Sequence, residues 1–291
     1  MNEHSYQHFV ITRFNLTGQH HQMSAEEWKH WNQHRFELFH RFCLPSMISQ
    51  EGAAFIWLIY FDHQTPEGFL QDIDKLNEHP IIRTRMVSGI DAFISNYIQD
   101  IIGLIPKSAR WVITTRMDND DILRKDAIYC IQSHFKTQDN LTINLSSGYT
   151  FNLENHLMTH YYYLKSPFIS VVEDTHKMEL QGVYARRHTQ WEPGRAGRFF
   201  PELKSCITKK RNKVYILDKP YWIQIIHGKN ISNDPVRGFP IFRELDLTLF
   251  HFPMINMKEK FYNLFKYYHF IWWKWYMKGI VLKIMYRFIG Y

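Results

Sequence analysis

The stretch Arg110–Asp121, RWVITTRMDNDD, decides how the chain is read. Arg110 to Thr115 (RWVITT) is an apolar, β-branched and aromatic run of strand length. It leads directly into Thr115-Arg116-Met117-Asp118-Asn119-Asp120-Asp121. In open α/β sheets ligands gather at the carboxyl ends of strands, so an acidic cluster at such an end marks a site. Carboxylates two apart on extended backbone point the same way, and Asp118 and Asp120 can then share a hard divalent cation, directly or through water. Such a cation would neutralise a diphosphate and stabilise it as a leaving group. The competing reading is that Asp120 or Asp121 caps a helix expected over Ile122 to Phe135. An EF-hand is excluded: counted from Asp118, the loop has Leu123 where glycine is required and Tyr129 where glutamate is required. A phosphatase of the aspartyl-nucleophile kind places two such aspartates near its amino terminus, whereas three strands precede them here.

Outward from this stretch, strand runs alternate with helical patterns. His8 to Arg13 (HFVITR) reads as a first strand. Ser24-Ala25-Glu26-Glu27 is a capping box opening a helix that should stop before Pro45. Phe55 to Phe61 (FIWLIYF) is continuously apolar, the mark of a strand buried on both faces. Thr65-Pro66 opens the next helix, Ile81 to Val87 is a third strand and Ile90 to Ile105 a helix. Alternation of this kind predicts an α/β fold with a mostly parallel central sheet and right-handed crossovers. Leu141 to Leu145, His160 to Lys165, Val214 to Leu217 and Trp222 to Ile226 read as strands completing the same sheet. Ser146-Ser147-Gly148-Tyr149 reads as a turn. The stretch from Glu192 through Lys213, rich in Gly, Arg and Lys, reads as an exposed basic loop.

With 291 residues and 45% apolar content, the chain can bury a full core. The expected organisation is one domain over residues 1–250 and a tail over 251–291. The formal charge of +7 calls for an anionic partner. Nucleic acid is not expected, because no recognised nucleic-acid motif appears. Cys43, Cys130 and Cys206 are odd in number and widely spaced, which fits a reducing compartment. The amino terminus lacks the pattern of a signal peptide, so a cytoplasmic location is expected. His30 and His34 lie one helical turn apart, but Lys29-His30-Trp31-Asn32-Gln33-His34 lacks the glutamate of a zinc-protease helix and reads as a solvated face.

The tail, Met257 to Tyr291, is dense in aromatics and lysine. Wound as a helix, Phe261, Leu264, Tyr268, Ile271, Trp272, Trp275, Leu282 and Tyr286 share a broad uncharged face. Lys274, Lys278, Lys283 and Arg287 break any apolar run long enough to span a bilayer. This is the pattern of an amphipathic helix lying in the interface of an anionic membrane surface, and a core-packing helix with snorkelling lysines is the alternative.

His8-Phe9-Val10-Ile11-Thr12-Arg13-Phe14, Arg35-Phe36 with Phe42-Cys43-Leu44-Pro45-Ser46, the Asp62 strand end with Thr65-Pro66, the acidic block, and Trp222 to Asn233 (WIQIIHGKNISN) together resemble the rhamnosyltransferase family of bacterial polysaccharide loci. The resemblance implies a GT-A-like glycosyltransferase, in which a metal-bound (Mn2+ or Mg2+) nucleotide-diphosphate sugar gives its sugar to a saccharide or lipid-linked saccharide acceptor. It implies that Thr12, Arg13 and Asp62 flank the nucleotide, with Arg116, Asp118 and Asn119 on the donor, and that Asp118, Asp120 and His227 hold the metal. Gly228 would allow His227 a close backbone approach. An inverting transfer also needs a base for the acceptor hydroxyl, and Glu173, then Asp174, at the end of the apolar run ISVVED, are the expected candidates. With the tail, this implies a peripheral protein on the inner face of the cell membrane. A nucleotidyl- or phosphotransferase on a similar sheet, and a non-catalytic basic membrane-binding module, are the competing readings.

Overall fold

The computed structural model describes residues 5–18, 23–177, 179–191, 212–228, 238–241 and 245–252, and in the tail residues 273, 275–282 and 284. The chain begins with β1 (Tyr6–Arg13), α1 (Ala25–Leu38), α2 (Leu44–Ile48), β2 (Ile56–Asp62), α3 (Leu70–Leu76), β3 (Ile82–Val87), α4 (Gly89–Ile102) and β4 (Trp111–Arg116). It continues with β5 (Ile122–Leu123), α5 (Ala127–Ser133), β6 (Leu141–Leu145), β7 (Ser147–Asn152), β8 (Met158–Tyr162) and β9 (Ile169–Asp174). Last come β10 (Lys213–Ile216), β11 (Trp222–Ile226) and β12 (Phe239–Pro240).

A seven-stranded sheet in the order β10-β6-β9-β4-β1-β2-β3 forms the centre. Among its described strands β9 alone runs antiparallel to its neighbours. Buried on both faces, β2 splits its apolar run by the pleat. Trp57, Ile59 and Phe61 join the core beneath α1 and α5, while Leu58 and Tyr60 join the core beneath α4. Because β2 lies on one side of β1 and β4 on the other, the order of crossovers reverses at β1. The register Ile11↔Arg116 and Arg13↔Tyr60 brings Arg13, Asp62 and Arg116 to the same edge, at that switch point.

The predicted capping box forms: Ser24 N–H donates to Glu27 Oε2 at 2.7 Å and Glu27 N–H donates to Ser24 Oγ at 3.3 Å. The helix does not stop before Pro45, however. A π-helical turn, Phe39–Cys43, carries it into α2, with Leu44 N–H bonded to Phe39 O, five residues back. Pro45 has no N–H and its ring crowds the carbonyl four residues back, so the wider turn lets the chain continue past it.

The second half does not simply extend the first sheet. β6, β9 and β10 complete it, but β5, β7, β8, β11 and β12 form a separate five-stranded sheet in the order β12-β8-β7-β11-β5. The helix expected from Ile122 starts only at Ala127, because Ile122 and Leu123 pair with Ile223 and Trp222. Their side chains go to different cores, the alternation of a strand. The turn expected at Ser146–Tyr149 is the start of β7 instead. Trp222, fully buried, ties the sheets together by donating from Nε1 to Leu145 O at 2.7 Å. It crosses β7 where only glycine leaves room: a Cβ on Gly148 would sit 2.0 Å from the indole.

In the tail, residues 275–282 are helical and pack on the domain. Trp275 meets Tyr161 edge-on at 5.1 Å, Leu282 is buried with Leu164, Tyr215 and Leu217, and a Cβ on Gly279 would stand 2.6 Å from the Tyr162 ring. The faces are therefore reversed from the expected assignment where they are described: Trp275 and Leu282 turn inward. Trp273, Tyr276, Met277 and Ile284 are exposed. The remaining residues named for that face, like those from Glu192 to Arg211 of the basic loop, lie outside the described residues. Among the described residues no helix is long and apolar enough to cross a membrane.

Overpacking a filled core costs roughly 1–3 kcal/mol, and at Gly148 the obstacle is a buried ring with nowhere to move. Gly148→Ala should therefore lower the unfolding free energy by at least that much, read as a lower urea midpoint; an unchanged midpoint would show that the junction is not packed as described.

Candidate active site

The carboxyl ends of β1 and β4, the last turn of α1 and the end of β11 meet around the acidic segment. Asp120 is 6% exposed. Its Oδ2 accepts from Arg35 Nη1 at 2.9 Å and lies 3.0 Å from His227 Nε2. His34 Nε2 stands 3.4 Å from His227 Nδ1, behind the imidazole. Burial alone would push the Asp120 carboxyl up, but Arg35 and the His227 contact hold it below its usual range. Neighbouring Asn119 accepts from Arg35 Nη2 through Oδ1 and donates from Nδ2 to Phe14 O at 2.8 Å, which stitches the segment to the end of β1.

Asp121 behaves in the opposite way. Fully enclosed, it accepts from Ile225 N–H at 3.0 Å, and its carboxyl is driven well above the usual range by burial and by the charges of Asp120 and Asp118. It is a strut between the two sheets, neither a helix cap nor a metal ligand.

Asp118 and Asp120 do not follow the extended-strand geometry expected from their spacing. Beyond Arg116 the backbone leaves the strand, and the two carboxylates take different partners, Asp120 with Arg35 and Asp118 with Arg116. Asp118 is partly exposed and lies against Arg116, whose Nη2 is 3.0 Å from each of its oxygens. Although burial works against its charge, Asp118 keeps the Arg116 guanidinium firmly protonated. Among the described residues no three His, Cys, Asp or Glu side chains gather closely enough to hold a metal. Asp120 and His227 do converge, as a pair. At Gly228, the residue after His227, an added Cβ would stand 2.9 Å from Glu154 Oε1, so the close approach there is to the Glu154 side chain. Lys229 and Asn230 lie outside the described residues.

Arg13 and Arg116 converge on one ring, with guanidinium carbons 4.6 and 5.8 Å from the Tyr184 centroid. Tyr184 donates to Ile11 O at 3.2 Å and closes the floor between them. Two cations against one aromatic ring form a ready anion seat. Thr12 and Asp62 are placed differently from expectation. Thr12 is buried, its hydroxyl accepting from Trp57 Nε1 at 2.9 Å. Asp62 accepts from Thr17 N–H at 2.8 Å, Thr17 Oγ1 at 2.7 Å and Gln64 N–H at 2.9 Å, so its carboxylate holds the loop after β1.

Glu173 and Asp174 are at the wrong end of the sheet for the role expected of them. Antiparallel pairing puts Glu173 opposite Val112 and Asp174 opposite Trp111. From Val112 to Arg116 is about 13 Å of strand at 3.3 Å per residue. Both are also engaged: Glu173 accepts from the N–H groups of Gln181 and Gly182 at 2.7 and 2.9 Å, and Asp174 pairs with Arg110 at 2.9 Å.

Three residues join the site beyond those expected from the sequence: Arg35, Tyr184 and His34, the last on a helix face expected to be solvated. Their only sequence signal was the spacing of Trp31, His34 and Arg35 along one side of α1, and Arg35 within a family block.

An α/β protein with paired arginines and a carboxylate–imidazole pair at a topological switch point belongs to the class that binds anionic ligands at strand ends. Residues 7–238 match the family described as "Putative rhamnosyl transferase", and the chain belongs to that family. No curated protein matches the chain. Among solved structures it is similar to S. aureus TarS 1-349, at 14% identity and a TM-score of 0.37, covering 75% of this chain. A second structure of S. aureus TarS gives 12% identity and a TM-score of 0.35 over 76% of this chain. This chain spans 60% of the first and 37% of the second.

Removing one partner of a buried ion pair costs about 3–5 kcal/mol, and Arg35 and Asp120 expose only 16% and 8% of their side chains. Arg35→Met should lose stability on that scale in denaturant at neutral pH. A loss below about 1 kcal/mol, the worth of a surface pair, would show that Asp120 does not depend on Arg35.

Proposed function

We propose that the protein is a GT-A-like, metal-dependent glycosyltransferase that takes a sugar, rhamnose on the family's label, from a nucleotide-diphosphate donor. The observation that carries this reading is the approach of Asp120 Oδ2 and His227 Nε2 to 3.0 Å beside the Arg13–Arg116 seat. Magnesium-like cations take one or two protein ligands and complete their shell with phosphate oxygens and water. A carboxylate–imidazole pair fits that demand, and manganese accepts the same donors. When bound, such a cation would supply charge neutralisation to the departing diphosphate.

In this reading Arg35 holds Asp120 ionised and in place, and Arg13 and Arg116 bind the phosphates. Asp118 orients Arg116 and stays open to the donor, while Asn119 fixes the segment to β1. Asp62 and Thr12 act as positioning residues beneath the nucleotide. The acceptor is a saccharide or a lipid-linked saccharide. The exposed tail face of Trp273, Tyr276, Met277 and Ile284, with the lysines of the same stretch, would hold the enzyme at an anionic membrane surface on the cytoplasmic side.

Calorimetry with uridine, guanosine and thymidine diphosphates, with and without manganese, tests the site. One nucleotide should bind in a metal-dependent way. Asp120→Asn and His227→Gln should each weaken that binding tenfold or more, in keeping with about 1.4 kcal/mol per decade. Arg116→Gln should weaken it with or without the metal. Failure of every nucleotide to bind, or metal-dependent binding indifferent to Asp120 and His227, would remove the reading.

For the tail, deletion is a poor test because it strips the cover from Tyr161, Leu164 and Leu217. The triple change Trp273→Ser, Tyr276→Ser and Met277→Ser alters only exposed side chains. It should abolish sedimentation with vesicles containing phosphatidylserine and leave the melting temperature in place; undiminished sedimentation would rule out this face as the contact.

A further inference from the structure

With Glu173 and Asp174 at the far end of the sheet, the proton of the acceptor hydroxyl needs another destination. We propose that His188 Nε2 is that destination, which makes His188 the general base of the transfer; the assignment rests on the glycosyltransferase reading above. After β9 the chain doubles back along the face covered by α4. It delivers Tyr184 beneath Arg13 and Arg116 and, four residues later, His188 beside the start of β9, the end of the sheet that carries the acidic segment.

Three features of His188 suit the role. Its Nδ1 lies 2.7 Å from Lys165 O, a contact that requires Nδ1 to carry the hydrogen. That tautomer leaves a lone pair on Nε2, which makes no hydrogen bond to any described residue. Second, the ring is half-buried and braced, with Tyr163 edge-on at 6.5 Å. Third, the surrounding charges keep it a base. Burial, reinforced by Arg116 and Arg13, lowers its affinity for a proton, while the Lys165 carbonyl and Asp118 act the other way without reversing the outcome. These are the charged groups that reach it from β1, β4 and the segment after β4. A neutral imidazole with a fixed tautomer, near the anion seat but bonded to none of its members, is the arrangement a base requires.

The step balances as a single displacement. The acceptor oxygen forms a bond to the anomeric carbon as its proton passes to His188 Nε2. The bond from that carbon to the diphosphate breaks, and its electron pair leaves with the diphosphate. The imidazolium returns the proton to water. One displacement inverts the anomeric configuration.

His188→Gln keeps an N–H for Lys165 O but cannot take a proton. Its turnover should fall by roughly 10²- to 10⁴-fold, with the nucleotide-diphosphate Kd unchanged. The wild-type pH profile should lose rate on the acid side, below the ordinary imidazole range because burial lowers His188, and that limb should be missing from the variant's residual activity. Independently of turnover, nitrogen-15 spectra of histidine-labelled protein at pH 7.5 should show the His188 ring neutral with hydrogen on Nδ1. Wild-type turnover in His188→Gln, an imidazolium, or the Nε2–H tautomer would each overturn the assignment while the transferase reading stands. Wild-type protein that transfers from no nucleotide sugar would overturn that reading, and the base with it.

Discussion

The ionised carboxylate of Asp120, nearly out of reach of water, is the constraint to which the rest of the molecule answers. An unpaired charge in that position would cost several kcal/mol even after relaxation. Three separate parts of the chain are brought to it. α1 contributes Arg35 and β11 contributes His227, while Asn119, bonded to Phe14 O, pulls in the end of β1. Because β11 belongs to the second sheet and α1 lies on the first, the ion cluster is also the point where the two halves are held in register. Adjacent Asp121 shows what happens without a directly paired cation. Given the same burial and only a backbone N–H, it is driven toward the protonated form and serves as a strut. Two neighbouring carboxyls thus diverge in chemistry because only one has a guanidinium.

How much of this was legible in the sequence depends on the range of the cause. β2 and β11 were readable to within a residue because their apolar runs are long and bounded by breakers. The capping box was readable because its hydrogen bonds close within four residues. The second sheet was not. Its strands β7 and β8 look like any others, and only Gly148, which clears space for a tryptophan more than seventy residues away, specifies the junction. Likewise Pro45 correctly signals a disturbance, yet a π turn that absorbs it and a helix end look the same locally.

The site divides along the same line. Arg13, Arg116 and the acidic block sit at strand ends that local pattern finds. Glu173 and Asp174 fall at the far end because of the one thing a strand's own residues do not reveal, its direction. Had β9 run parallel to β4, its terminal carboxylates would have stood beside Asp118. Antiparallel, it presents its beginning there, and the chain must return along the sheet face before it can contribute. That return is what supplies Tyr184 and His188, whose roles no short motif announces.

The tail carries the same lesson to the surface. Helical periodicity identified an amphipathic segment, but two faces of a helix this rich in aromatics are apolar, and periodicity alone does not say which one meets protein. Gly279 settles the matter. Closest approach to the Tyr162 ring is possible only where a side chain is missing, so the face of Trp275, Gly279 and Leu282 is the inward one. The opposite face keeps Trp273 and Tyr276 in the open, residues whose ring bodies are apolar and whose polar tips prefer water. A helix fixed to the domain on one side presents those rings in a set orientation, so any surface that receives them also fixes how the strand-end site faces it.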